Sequence, residues 1–154
     1  MTLSQTPGAV KRFRRIPWRF QQTFQTPLKN LPPFVKAIVT TQEPLSAACI
    51  SIDQVVFEPK NLSRLLSDHF LPAEYGHDWS VTVSGSQEVE SLLQAALSDW
   101  VDFTFVPIPK PFVIYADHDE YVTFYANRKS NLNRLLAELS KQGFKKVQDY
   151  ERQL

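Results

Sequence analysis

Residues Phe112-Val-Ile-Tyr-Ala-Asp-His-Asp-Glu-Tyr-Val-Thr-Phe-Tyr-Ala126 read as two β-strands joined by a polar tip, and they set demands that the rest of the chain must meet. Asp117-His118-Asp119-Glu120 supplies the turn chemistry, because Asp tolerates left-handed backbone and bonds to nearby N–H groups. With Ala116 paired to Tyr121, alternation places Val113, Tyr115, Val122, Phe124 and Ala126 on one face. Phe112, Ile114, Ala116, Tyr121, Thr123 and Tyr125 take the other. Both faces are apolar or aromatic, so the hairpin requires cover on two sides. Leucine-rich helices can supply one layer. Three coverings are open for the second: a short helix over 61–70, the aromatic N-terminal stretch over 13–24, or another chain. The first half of this chain is favoured, because apolar patches beyond roughly a few hundred Å² are rare on monomers.

Working outward, Ser130 to Gln142 forms a helix with Leu132, Leu135, Leu136 and Leu139 inward and Gly143 as its C-terminal cap. Phe144 to Tyr150 reads as a closing strand. On the other side, Trp79 to Ser84 alternates as a half-buried strand. Gly85-Ser86 opens a helix whose Glu88 and Glu90 suit the positive end of the dipole. Its apolar stripe is Val89, Leu92, Leu93, Ala96, Leu97 and Trp100, and Val101 to Val106 is the next strand, followed by a stiff Pro107 to Pro111 connector. From Trp79 the order β, α, β, β, β, α, β resembles a ferredoxin-like split βαβ arrangement with an extra strand. The likeness is topological, covers about half the chain and implies no chemistry.

In the first half, residues 34–40 and 47–57 are rich in β-branched and aromatic types and read as strands, with Gln42-Glu43-Pro44 as the turn between them. Asn61 caps a helix that ends near Phe70. Leu31-Pro32-Pro33 reads as an extended linker. The expected fold is therefore α+β, a mixed and mostly antiparallel sheet with two or three helices. Residues 31–154 form the single domain and residues 1–30 a basic, Pro-interrupted N-terminal arm.

Charge sharpens that division. Residues 1–42 carry Lys11, Arg12, Arg14, Arg15, Arg19, Lys29 and Lys36 and no acid, while residues 43–154 hold ten Lys and Arg against sixteen Asp and Glu. Such an arm either folds back on the acidic body or holds an outside partner, an acidic one above all. Its core, Lys11 to Phe20, interleaves guanidinium groups with rings. That composition also suits single-stranded nucleic acid or an anionic lipid surface. A cleaved targeting leader is weighed lower, because Phe13, Trp18, Phe20 and Phe24 are large apolar groups and Pro7, Pro17 and Pro27 interrupt a long helix. The single Cys49 excludes an intramolecular disulfide framework and suits a reducing, cytoplasmic setting. No run approaches the ~20 apolar residues of a membrane span.

Catalytic patterns are sparse. His69, His77 and His118 have no helical His-x-x-x-His pairing, and His77-Asp78 with residues 117–120 reads as turn chemistry rather than a metal site. Asp117, Asp119 and Glu120 at a solvated tip would stay alike and ionised. Asp53, a charge within an apolar strand, is best explained by a bulge near Asp53-Gln54. Cys49 sits among apolar neighbours as an inert thiol. The four scattered glycines build neither a phosphate loop nor a dinucleotide fingerprint. No catalytic residue, metal ligand or cofactor is assigned. The favoured role is non-catalytic: a protein-binding module or subunit of a larger assembly. Arg12, Arg14, Arg15 and Arg19 would give charge complementarity, and Trp18, Phe20, Tyr121 and Tyr125 apolar anchors. Single-stranded nucleic-acid binding through the arm is the first alternative, and a small enzyme whose site sequence does not reveal is the second. The oligomeric state is left open.

Overall fold

The computed structural model describes residues 1–41, 45–148, 150 and 152, so the expected turn at 42–44 lies outside the described residues. The fold is α+β. Among the described residues, seven strands form one sheet: β1 (Thr2–Gln5), β2 (Phe20–Gln25), β3 (Ala47–Gln54), β4 (Trp79–Ser84), β5 (Asp102–Ile108), β6 (Val113–Ala116) and β7 (Tyr121–Ala126). Five α-helices accompany them: α1 (Ala9–Arg14), α2 (Leu31–Thr40), α3 (Lys60–Asp68), α4 (Ser86–Ser98) and α5 (Ser130–Lys141). The strand order is β1-β4-β3-β5-β6-β7-β2, and every neighbouring pair is antiparallel. β4 and β5 run parallel to each other on either side of β3, with α4 as their crossover. The strand that splits this unit precedes it in the chain.

The segment expected as an arm supplies both outer strands. β1 pairs with β4 at one edge and β2 with β7 at the other. Six strand spacings of ~4.8 Å separate those edges by about 29 Å. Residues 6–19 cross that width, with α1 packed over β3 and β5. The covering required by the aromatic hairpin thus comes from residues 13–24, one of the three possibilities the sequence left open.

Residues 31–40 correct a second expectation. They form helix α2, not a linker followed by a strand, and Pro32 and Pro33 occupy its first positions, where no intrahelical N–H bond is lost. Leu31, Phe34, Val35 and Ile38 recur at helical spacing and are buried. That period outweighs the β-branched composition of the stretch. At the far end, Phe144 to Tyr150 does not form the expected strand. Only an isolated bridge, Lys146 to Phe24, appears there among the described residues. Gly143, at φ 87°, does close α5, and the Phe144 N–H donates back to the Leu139 carbonyl at 3.1 Å.

The main core lies between α2, α4, α5 and one face of the sheet. Phe103, Phe105, Ile50, Ile52, Ile114 and Phe124 are fully enclosed there. Phe24 of β2 completes it edge-on to Phe124, with ring centroids 5.9 Å apart. α3 packs against α4 rather than the sheet, its first turn held by Asp99 at the end of α4.

Candidate functional site

The second sheet face carries the chemistry, and its content follows from register. Ala116 pairs with Val122, not with Tyr121 as the tip spacing suggested. Asp117 accounts for the extra loop residue, since its Oδ1 accepts the N–H groups of Asp119 at 2.9 Å and Tyr121 at 3.2 Å. A slip of one residue exchanges the faces of β7 relative to β6. Tyr121, Thr123 and Tyr125 therefore share a face with Val113 and Tyr115, while Val122, Phe124 and Ala126 join Ile114 and Ala116 in the main core.

On this second face one line of paired residues runs across all seven strands: Ser4, Ser80, Ser51, Thr104, Tyr115, Thr123 and Thr23. Each carries a hydroxyl, and all but Ser4 are buried. Buried hydroxyls require partners, and much of the row satisfies itself. The Thr23 and Thr123 hydroxyls lie 2.8 Å apart, those of Ser51 and Ser80 2.9 Å, and Thr6 bonds Ser80.

Three carboxylates border the row, each matched to a different basic side chain. Asp53 sits at the register shift between Ile52 and Gln54, where the sequence placed a bulge. The bulge turns Asp53 onto the second face, where its Oδ2 accepts from Arg14 Nη2 at 2.5 Å and from the Tyr115 hydroxyl at 2.5 Å. That pair of bonds fixes α1 to the sheet. The Tyr115 hydroxyl is held protonated well above the usual tyrosine range, chiefly by burial and then by its bond to Asp53.

Asp102 opens β5 and accepts from the His118 backbone N–H at 2.7 Å and from His118 Nδ1 at 2.8 Å. Burial raises the Asp102 carboxyl above its ordinary value, with the His118 bonds pulling against that rise. The imidazole is raised in turn, mainly by its bond to Asp102. No hydroxyl or thiol is hydrogen-bonded to His118 among the described residues. Asp117 differs from its expected solvated state. Its side chain is only 10% exposed and its Oδ2 lies 2.5 Å from Arg152 Nη1.

The residues singled out from sequence divide between the inside and the outside. Phe13 stands between Trp18, Tyr115 and Tyr125, at centroid distances of 5.9, 6.2 and 5.5 Å. Trp18 also packs on Tyr125 at 6.0 Å. Tyr125, 1% exposed, is closed to any partner in this fold, and burial pushes its hydroxyl up to about 12. Tyr121 stacks on Tyr150 at 4.8 Å. Arg12, Arg15 and Arg19 remain exposed, with Lys11 beside them, and Phe20 retains 37% exposure at the β2 edge. Arg14 alone of this group forms an ion pair among the described residues. Asp102 and Arg152 were not singled out from sequence. Strand register brings Asp102 to this face, and tertiary packing alone brings Arg152 there.

No group of three or more His, Cys, Asp or Glu side chains is arranged for a metal ion among the described residues, and no helix there is long and apolar enough to cross a membrane. Comparison with known protein families, curated proteins and solved structures finds no match.

Proposed function

We propose that this chain is a non-catalytic docking module, a subunit that engages an acidic protein surface through the outer side of α1 and the turn that follows. The single observation that carries this reading is a division of labour within 9–20. The apolar side chains Val10, Phe13 and Trp18 pack against the sheet, whereas Lys11, Arg12, Arg15 and Arg19 face solvent without an ion pair among the described residues. Clustered cations without an ion pair among the described residues raise the local potential, steer acidic partners and select against basic ones. Phe20, partly exposed beside Arg19, supplies an apolar contact at the edge of that patch. The single Cys49 supports placing this role in a reducing compartment such as the cytoplasm.

Single-stranded nucleic acid fits less well. Its recognition combines cations with rings free to stack on bases, and Phe13 is buried while Trp18 packs on Phe13 and Tyr125. The deciding experiment titrates a fluorescent octapeptide of alternating Glu and Ser, and separately a labelled oligothymidylate, by anisotropy at low and moderate salt. Salt-sensitive peptide binding that disappears in a Lys11→Glu, Arg12→Glu, Arg15→Glu variant of unchanged circular dichroism is expected. Peptide binding that ignores these substitutions, or oligothymidylate binding more than tenfold tighter than the peptide, overturns the reading.

A further inference from the structure

We infer that the second face holds a guanidinium-binding pocket, filled in this chain by Arg152 and able to accept the arginine side chain of a partner in its place. The pocket has the parts that planar cation needs. The Asp117 carboxylate, itself 10% exposed, meets Arg152 Nη1 at 2.5 Å, and the Thr123 hydroxyl accepts from Nε at 3.2 Å. The Tyr115 ring lies beneath, 4.7 Å from the guanidinium carbon. A carboxylate at the edge, a hydroxyl at Nε and an aromatic face below recognise a flat delocalised cation far better than a compact ammonium.

Two features point to the Arg152 side chain as what the pocket holds. Arg152 lies in no helix or strand, and its one backbone hydrogen bond among those of the described residues runs from its N–H to Gln21 Oε1 at 3.1 Å. Its side chain is nevertheless 9% exposed. Among the described residues, Arg152 Nη2 is buried without a hydrogen-bond partner, so the present occupant leaves one of its own donors unmatched in the pocket. An arginine presented on a different backbone has that bond still to gain. This inference does not depend on the α1 docking surface, which lies on exposed side chains and seeks the opposite charge.

Chemical rescue tests it on the full-length chain. In Arg152→Ala, methylguanidinium should raise the melting temperature in a saturable manner, with half-effect on the order of 1–10 mM for so small a ligand. Methylammonium at equal ionic strength should not, and wild type should respond to neither. Adding Asp117→Asn, which keeps the oxygen that orders the hairpin tip, should abolish the rescue. If the alanine variant is unfolded, Arg152→Gln takes the same titration, and recovery of its circular dichroism is read instead. N-acetyl-arginine amide against free arginine then separates a protein segment from a small metabolite: tighter binding of the capped form supports the partner arginine, and tighter binding of the free amino acid overturns that assignment. No saturable response in either variant overturns the pocket and leaves Arg152 as an internal lock.

Discussion

Phe13→Ala asks whether the N-terminal segment belongs to the cooperative fold or merely rests on it. Phe13 is 6% exposed and touches three rings, so truncation loses the transfer energy of a benzyl group, the edge and stacking terms of those contacts, and leaves a cavity. Buried Phe→Ala changes cost about 3–5 kcal/mol, and a six-residue helix that can settle towards the sheet places this one near the lower end, about 3 kcal/mol. For a urea m-value of ~2 kcal/mol/M, the midpoint should fall by about 1.5 M with m unchanged. Equilibrium unfolding followed by far-UV circular dichroism and by tryptophan emission should give coincident transitions, with Arg12→Ala, an exposed neighbour, shifting by less than about 0.5 kcal/mol. A loss below about 1 kcal/mol for Phe13→Ala, or a separate early transition seen only by fluorescence, would refute the reasoning, because α1 would then be an appendage.

Asp99→Ala should cost about 2 kcal/mol, since one carboxylate accepts the backbone N–H groups of Asn61 at 3.1 Å and Leu62 at 2.6 Å at the start of α3 and also the Asn61 side chain; faster amide exchange at Leu66 than at Leu92 would localise the loss. A chain beginning at Leu31 lacks both outer strands and the cover over Tyr115 and Tyr125, so it should show no cooperative urea transition, and a sharp one would contradict the fold's dependence on residues 1–30. The His118 and Asp102 pair should make stability fall as pH rises. The folded chain holds the His118 proton more tightly than the unfolded chain, so its contribution is complete below the unfolded value of ~6.5 and disappears as pH climbs through the higher folded one. Asp102, also raised, acts in the same sense in the acid range, above its unfolded value of ~3.9. Urea midpoints between pH 6 and pH 9 should decline for wild type and decline less for His118→Gln; equal slopes would sever the link.

The hairpin, α4, α5 and the bulge at Asp53 were legible because each is written in local spacing: alternation for strands, three-and-four steps for helices, a charge interrupting an apolar run. What was not legible depends on a single residue of register. The loop at 117–121 gains its extra residue from side-chain bonds of Asp117, and no periodicity encodes that. Yet the slip decides that Tyr125 meets Phe13 instead of the leucine helices. α2 was misread for a different reason. Its composition favours a strand and its spacing a helix, and Pro32-Pro33, taken as a barrier, sits at the one place in a helix where proline costs nothing. Arg152 lies 29 residues from Thr123 and 35 from Asp117, so its pairing is tertiary information throughout.

The charge asymmetry of the sequence acquires a sharper meaning once the sheet is in view. Were the cations of the first forty residues present only to neutralise an acidic body, the carboxylates of the second sheet face would be paired with them. Asp53 is, through Arg14. Asp102 instead takes His118 from the hairpin tip, and Asp117 takes Arg152. Both partners come from outside the basic segment. Folding therefore buries Phe13 and Phe24 of this segment, while Lys11, Arg12, Arg15 and Arg19 stay exposed without an ion pair among the described residues. Under the docking proposal, Lys11 and Arg12 stand on a helix whose other side is fixed by Phe13 and by the bond from Arg14 to Asp53, and Arg15 and Arg19 follow it in the chain.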